Sequence, residues 1–367
     1  MSSSRKRKAP GTVANKAGPS HIPHRTKPQT TSWTRTVFIA IILVTITGTL
    51  YYYPISNDDK ETPVEERDAS IFSVQDIPGK GKGVIAARDI QQGELIIYEK
   101  PLFIVPPKIS VSPSSLIHSN LQRVDPRDRP AFFNLSYVNL PPEVDPEEDE
   151  AEVALAIFQT NAVAAGGGVG IFPRMARLNH GCSSAFNVVY TWREREGALV
   201  VHALKGVKKG QELLTTYSTM RQPRAIRRAY LREHYGFECQ CQVCSLSDAE
   251  SKASDARLVA ISDLYSRFGT WSEGSINGKQ AIDIVKQIWT LGEEEGYFSE
   301  RGQLAADAAW VAAAHWDAGA TREWAEVGLE WYSYELGSDS EPAESMRALM
   351  GDPERHHAWG SRERMYV

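Results

Sequence analysis

The alternation of apolar and polar positions changes period several times along the chain. Between residues 71 and 99, short β-branched runs are divided by glycine turns: Ile71-Phe72-Ser73-Val74, then Gly83-Val84-Ile85-Ala86, then Leu95-Ile96-Ile97-Tyr98. Runs of this kind predict a meander of small strands. From Pro106 to Ala165 the pattern turns helical, broken by a Pro- and acid-rich loop over 141–150. Glu152 to Ala165 reads as one helix, apolar at Val153, Leu155, Ala156, Ile157 and Val163 and stopped by Gly166-Gly167-Gly168. Strands resume at 188–192 and 198–203. Lys209-Gly210-Gln211-Glu212-Leu213-Leu214-Thr215-Thr216-Tyr217 then repeats the turn-into-strand pattern of Gly93-Glu94-Leu95-Ile96. The region 106–165 is therefore an insertion between two groups of strands. Arg224 to Tyr235 is a basic amphipathic helix. Beyond Ser245 the period is helical over 255–268, 278–295, 300–317 and 320–336, with alanines at 305, 306, 308, 309, 312, 313 and 314 beside Trp310 and Trp316. Small residues facing large ones let antiparallel helices pack closely, so residues 247–367 read as a helical C-terminal domain.

Upstream, the first 35 residues are rich in Ser, Thr, Pro, Lys and Arg and almost free of large apolar side chains, which predicts a disordered basic tail. Arg5-Lys6-Arg7-Lys8 has the composition of a nuclear address, and a solvated tail accounts for it equally. Val37 to Tyr53 carries no charge and has aromatic flanks at Trp33 and at three closing tyrosines, which predicts a membrane span over 36–54. Lys16, Arg25, Lys27 and Arg35 precede it, against Lys60 and Arg67 after it, a bias that leaves the tail in the cytosol. A buried core segment or a mitochondrial presequence are the alternatives, and nucleus or cytoplasm is the expected location if the segment does not insert. Residues 55–70 form a charged linker.

Charge sharpens this division. Residues 1–57 hold eight Lys or Arg and no acid, so the rest of the chain carries 33 basic and 46 acidic residues, a net of −13. An acidic body argues against direct nucleic-acid binding, which needs a basic face, and suits a basic peptide. Four cysteines are present in all: Cys182, and Cys239, Cys241 and Cys244 within six residues. One distant and three clustered thiols have the count and crowding of a tetrahedral zinc site stitching two segments together. Disulfides are the alternative in an oxidising lumen. The alternate glycines of Gly79-Lys80-Gly81-Lys82-Gly83 let a backbone approach a ligand closely, and a plain hairpin explains them as well.

Four pieces in order, Gly79-Lys80-Gly81-Lys82-Gly83-Val84, Arg177-Leu178-Asn179-His180-Gly181-Cys182, Gly210 to Tyr217, and Tyr235-Gly236-Phe237-Glu238-Cys239 with Cys241 and Cys244, resemble the SET-domain protein-lysine methyltransferases. They resemble the branch with a helical C-terminal region and often a MYND finger, for which no cysteines remain here. The resemblance implies a mainly β SET fold of small sheets, in which a pseudoknot threads the Asn179 segment beneath a strand pair. A helical insertion lies within a SET domain at 71–230, followed by a zinc-bound post-SET segment at 231–246. It implies S-adenosylmethionine as cofactor, bound by Lys80, Gly81, Lys82, Asn161, Asn179, His180, Tyr217 and Phe237. Tyr217 and Tyr235 become the catalytic residues lining a lysine channel, and Cys182, Cys239, Cys241 and Cys244 the structural zinc ligands. One departure stands out: Asn187 follows Ser183-Ser184-Ala185-Phe186, displaced from where the family has Pro-Asn. That displacement motivates a second expectation, a membrane-tethered SET scaffold that binds peptides without turnover.

Methyl transfer from a sulfonium to an amine is an in-line displacement, so alignment and exclusion of water are what the protein must supply. A free lysine, with a pKa near about 10.4, must lose a proton before it can attack. A narrow aromatic channel beside a positive sulfur favours that loss through desolvation and like-charge repulsion.

Overall fold

The computed structural model describes residues 70–218 and 221–367. The tail expected over 1–35 lies outside them, as does the membrane span expected over 36–54. No helix among the described residues is long and apolar enough to cross a membrane. The single-pass attachment, and the location built on it, are accordingly withdrawn.

β1 (Phe72–Ile77) and β2 (Gly81–Ala86) form an antiparallel hairpin from Phe72 opposite Ala86 to Ile77 opposite Gly81. Its turn is closed by the Lys80 N–H donating to the Ile77 carbonyl at 2.9 Å, with Gly79 and Gly81 at φ 75° and 70°. That left-handed backbone region explains why glycine alternates here. β3 (Leu95–Glu99) and β4 (Ile104–Val105) lead into the insertion helices α1 (Pro113–Arg123), α2 (Arg129–Phe133) and α3 (Glu150–Asn161), which enclose Ile117, Leu121, Phe132 and Ile157.

α3 stops four residues before the expected end. Asn161 Nδ2 turns back onto the Ile157 carbonyl and across to that of Ser136, both at 2.8 Å, and Ala162 is extended. Val163–Ala165 then forms β5, paired through a Gly166-Gly167 turn with β6 (Gly168–Gly170). The apolar Val163 thus belongs to a strand, and the glycine run is a hairpin turn.

β7 (Asn179–His180), β8 (Val188–Arg193), β9 (Ala198–Ala203) and β10 (Glu212–Thr215) complete three small sheets, ordered β1-β2-β10-β7, β3-β9-β8 and β4-β6-β5. Every residue of β9 is buried, as its unbroken apolar run requires. Glu99 at the end of β3 accepts the N–H groups of Arg174 and Met175 at 2.8 and 2.9 Å, fixing the 3-10 turn Met175–Arg177 that delivers Asn179 to its place.

α4 (Arg224–Tyr235) ends at Gly236 in the left-handed conformation, which turns the chain toward Phe237 and the cysteines. The C-terminal lobe follows as α5 (Asp248–Gly269), α6 (Gly278–Glu295), α7 (Arg301–Ala314), α8 (Ala318–Leu336) and α9 (Glu341–Gly351). α5 begins earlier than its periodicity suggests because Ser247 and Glu250 form a capping box. The small-against-large contacts exist with different partners. Gly302 faces Tyr332, Gly328 faces Met346 and Gly360 faces Trp316, while Trp310 and Trp316 remain partly exposed. The buried Arg301 guanidinium sits among Trp289, Phe298 and Trp331, 4.4–4.6 Å from each ring, and pairs with Glu293.

The lobe grips the turn just after Cys182. Buried Glu295 accepts from Ser183 Oγ and Ser254 Oγ at 2.9 and 2.6 Å and pairs with Arg257 at 2.8 Å. Lys205 Nζ donates to the carbonyls of Ser184 and Gly296 at 2.7 and 2.8 Å.

Candidate functional site

The crossing of β7 and β10 builds the site. Two residues suffice for β7 because it enters parallel to β10, with Asn179 beside Leu214 and His180 beside Thr215. β10 pairs on its other edge with β2, so the glycine hairpin and the Asn-His pair share one strand. Glu212 ties them: one carboxylate oxygen accepts from Asn179 Nδ2 at 2.9 Å, the other from Lys80 Nζ at 2.6 Å. A Cβ on Gly83 would lie 2.7 Å from Asn179 Nδ2 and 2.9 Å from Glu212, so this glycine is required by close approach. Gly79 and Gly81 have open space around them, and the Lys80-Gly81-Lys82 turn is exposed.

Asn187, displaced in sequence, is in place in space. Its side chain donates to the Glu212 carbonyl at 2.9 Å and accepts the Leu214 N–H at 2.8 Å. An asparagine amide thus takes the hydrogen-bonding part of a missing strand neighbour.

His180 is buried with both ring nitrogens engaged. Nδ1 accepts the Tyr217 N–H at 3.1 Å, so Nε2 carries the proton, 3.2 Å from Cys182 Sγ. Burial pushes its pKa down to about 4, and the ring is neutral. Tyr217 lies beside it, ring centroids 5.3 Å apart, and donates its hydroxyl to the Leu178 carbonyl at 2.7 Å. Tyr235 packs 4.9 Å from Tyr217, and Phe237 6.3 Å from His180. Burial, with Tyr235 nearby, raises the Tyr217 pKa, and burial pushes that of Tyr235 up to about 12. Both are neutral phenols at physiological pH, which suits them as hydrogen-bond partners and excludes them as ready bases.

Cys182, Cys239, Cys241 and Cys244 converge as buried free thiols whose sulfurs all lie within 4.8 Å of one another. Zinc–sulfur bonds of about 2.3 Å in a tetrahedron place sulfurs about 3.8 Å apart. Cys182 Sγ stands 4.0 Å from that of Cys239 and 3.6 Å from that of Cys244. Mutual hydrogen bonding splits their acidities, with Cys239 foremost in pushing Cys182 up and Cys182 foremost in pulling Cys241 down. Thiols this close cannot all ionise unless a cation sits among them. The donor set fits a closed zinc site, and it closes on His180.

Of the residues expected at the site, Lys80, Gly81, Asn179, His180, Tyr217, Tyr235, Phe237 and the four cysteines are linked in this way. Lys82 stays on the hairpin surface, paired with Asp76 at 3.3 Å. Asn161 bonds Ser136 and Ile157, and none of its hydrogen bonds reaches the other site residues. Sequence reading missed Glu212 and Tyr190, a half-buried phenol of β8 that acts electrostatically on both Tyr217 and Tyr235. The only signal for Glu212 was its place in Gly210-Gln211-Glu212-Leu213, a turn like Gly93-Glu94-Leu95, where a carboxylate reads as solvent-facing.

Small sheets around a two-residue parallel strand, with the Asn-His pair at the crossing, define a SET domain, and the family model described as SET domain matches residues 81–218. Histone-lysine N-methyltransferase set5 of Schizosaccharomyces pombe is 30% identical over 295 residues, covering 79% of this chain and 86% of that protein. Histone-lysine N-methyltransferase SMYD3 of Mus musculus is 34% identical over 113 residues, 30% of this chain and 26% of that one. N-lysine methyltransferase SMYD2-B of Danio rerio is 41% identical over 78 residues, 21% and 17% of the two chains. A solved structure of Rubisco LSMT bound to AdoMet aligns over 78% of this chain and 88% of that one at TM-score 0.30 and 10% identity, too distant to bear on the site. The protein belongs to the SET-domain lysine methyltransferases and is a methyltransferase.

Proposed function

We propose that the protein is an S-adenosylmethionine-dependent protein-lysine N-methyltransferase acting on a basic protein segment, with a structural zinc ion held by Cys182, Cys239, Cys241 and Cys244. The observation that carries this reading is the convergence of Asn179, His180, Tyr217, Tyr235 and Phe237 on the β7–β10 crossing beside the open glycine turn. The acidic balance of the chain beyond residue 57 supports a basic substrate, histone or non-histone. The proposed organisation is a SET domain over 71–230, a post-SET segment over 231–246 and the helical region beyond.

S-adenosylmethionine, when bound, supplies a methyl group on a sulfonium. The backbone of Lys80, Gly81 and Lys82 would hold its methionine end, Asn179 would contribute beside them, and Phe237 would offer its ring to the adenine. Tyr217 commits its proton to the Leu178 carbonyl, which leaves the phenol lone pairs to accept from the lysine amine and orient it. The raised pKa of Tyr217 keeps it neutral, so it positions the amine, and the proton leaves by another route. Tyr217 and Tyr235 flank the lysine and desolvate it, which favours the uncharged nucleophile. The comparisons lend no support to a scaffold without turnover, and Asn187 holds β10 despite its displacement.

A labelled-cofactor assay on a histone and lysate panel tests the proposal. Tyr217→Phe should lower kcat by about a hundred-fold, with Asn179→Ala weakening cofactor binding. An unchanged rate in the double variant would falsify these roles.

A further inference from the structure

α4 presents two consecutive arginines to the cysteine quartet, and they differ. Arg228 is partly exposed and donates through Nε and Nη2 to the carbonyls of Cys239 and Cys244 at 3.2 and 2.9 Å, holding the loop backbone. Arg227 is 1% exposed, among the largest side chains fully buried in the protein. Its Nη1 bonds the Gln222 carbonyl and lies 3.3 Å from Asp255 of α5. Its Nε and Nη2 are buried and make no hydrogen bond of ordinary geometry, the Cys182 side chain being the one thiol that interacts with the guanidinium in that way.

A buried guanidinium with two donors so poorly paired is expensive, and Asp255 is partly exposed and meets one side only. Cys182 and Cys244 act electrostatically on the charge as well, Cys182 also through its side chain as a hydrogen-bond partner. Burial is the largest influence on Arg227 and lowers its pKa, yet these two thiols together with Asp255 raise it on balance. Four thiolates around a divalent ion keep a net charge of about two negatives. His180 meets that centre at Cys182 alone, through Nε2 at 3.2 Å.

We infer that Arg227 is the buried counter-cation of the four-cysteine centre, a positioning residue whose charge tunes metal affinity. This rests on the zinc reading above. It makes the neighbouring carboxylate a competitor for the same charge, so removing Asp255 should strengthen the centre, the opposite of what general destabilisation does.

The test uses the full-length chain, with zinc content measured by mass spectrometry, affinity by chelator competition, and absorption after Co2+ substitution. Arg227→Met should bind zinc about ten-fold more weakly or worse, the range found for groups that orient metal ligands. Its thiolate-to-cobalt charge-transfer band should move to lower energy, because the sulfurs lose a neighbouring cation. Arg227→Lys should restore most of the affinity. Asp255→Asn, whose amide oxygen can still accept the Arg224 N–H, should bind more tightly. Native affinity in Arg227→Met, equal weakness in Arg227→Lys, or weaker binding in Asp255→Asn would each overturn the inference. If Arg227→Met does not fold, the direction of the Asp255→Asn change decides alone. Wild-type chain without stoichiometric zinc overturns the underlying reading instead, a separate result.

Discussion

Strand β10 and helix α7 each sit at the centre of their part of the molecule, and they are kept there by different means. β10 has four residues, and its partners β2 and β7 come from far along the chain. Its place depends on a few polar groups: the Asn187 amide on one side and Glu212 reaching Asn179 and Lys80 on the other. α7 has fourteen residues, ten of them buried, and packs against helices adjacent in sequence. Many small apolar contacts hold it, each replaceable in kind. A polar, long-range junction transmits damage to the site, whereas an apolar, local one absorbs it.

The largest expected effect breaks the junction at the cysteines. Cys182→Ser, or stripping metal with a chelator, should reduce methyl transfer more than about a hundred-fold, because an ion held by the four cysteines would couple to the geometry of His180 and Tyr217. Far-UV circular dichroism should show the lobe helices retained, and their collapse would dissolve the contrast between the two regions. Next comes Glu212→Ala, which leaves Asn179 and Lys80 without their acceptor. Titration calorimetry should show cofactor affinity down by about ten-fold, the scale of one charged hydrogen-bond partner. In the lobe, Gly302→Ala drives a Cβ to 2.4 Å from Tyr332. It should lower stability by about 1–3 kcal/mol in denaturant melts while cofactor affinity stays put.

The smallest effect is a pH slope. Burial pushes the Asp307 carboxyl up to about 6 from its ordinary 3.8, so between those values the folded chain binds more protons than the unfolded one. Its contribution is full below about pH 4 and is lost as pH rises through about 6. Asp307→Asn should flatten that fall in thermal melts without moving the pH profile of methyl transfer.

Much of the site was legible because its chemistry restricts residue type. Four thiols, an Asn-His pair and alternating glycines keep their signature wherever the fold puts them. Helices such as 224–235 and 278–295 were legible through a period that burial enforces. β7 was not, since two residues carry no period, and its partner is identified only by the topology. Glu212 hid for a related reason, since a polar side chain that replaces strand contacts looks like a turn residue, and Asn187 stood out by its displacement without showing what it bonds. Arg227 hid inside a basic helix, where one more charge reads as solvent-facing although the side chain is buried. In α3 the overreach came from Val163, apolar in either period.

Cys182 and Cys244 are separated by 62 residues. At about 5–20 residues per second, synthesis of that interval occupies about 3–12 s. For those seconds every strand of the three sheets either exists or is being made, while the thiol quartet is incomplete and β7 has no closed centre behind it. The site is thus the last part of the β region to mature, and on the zinc reading proposed above its maturation waits on an ion as well as on the chain. A cell short of that ion would accumulate full-length chains with folded helices and an open active centre, visible to chaperones and proteases as unfinished.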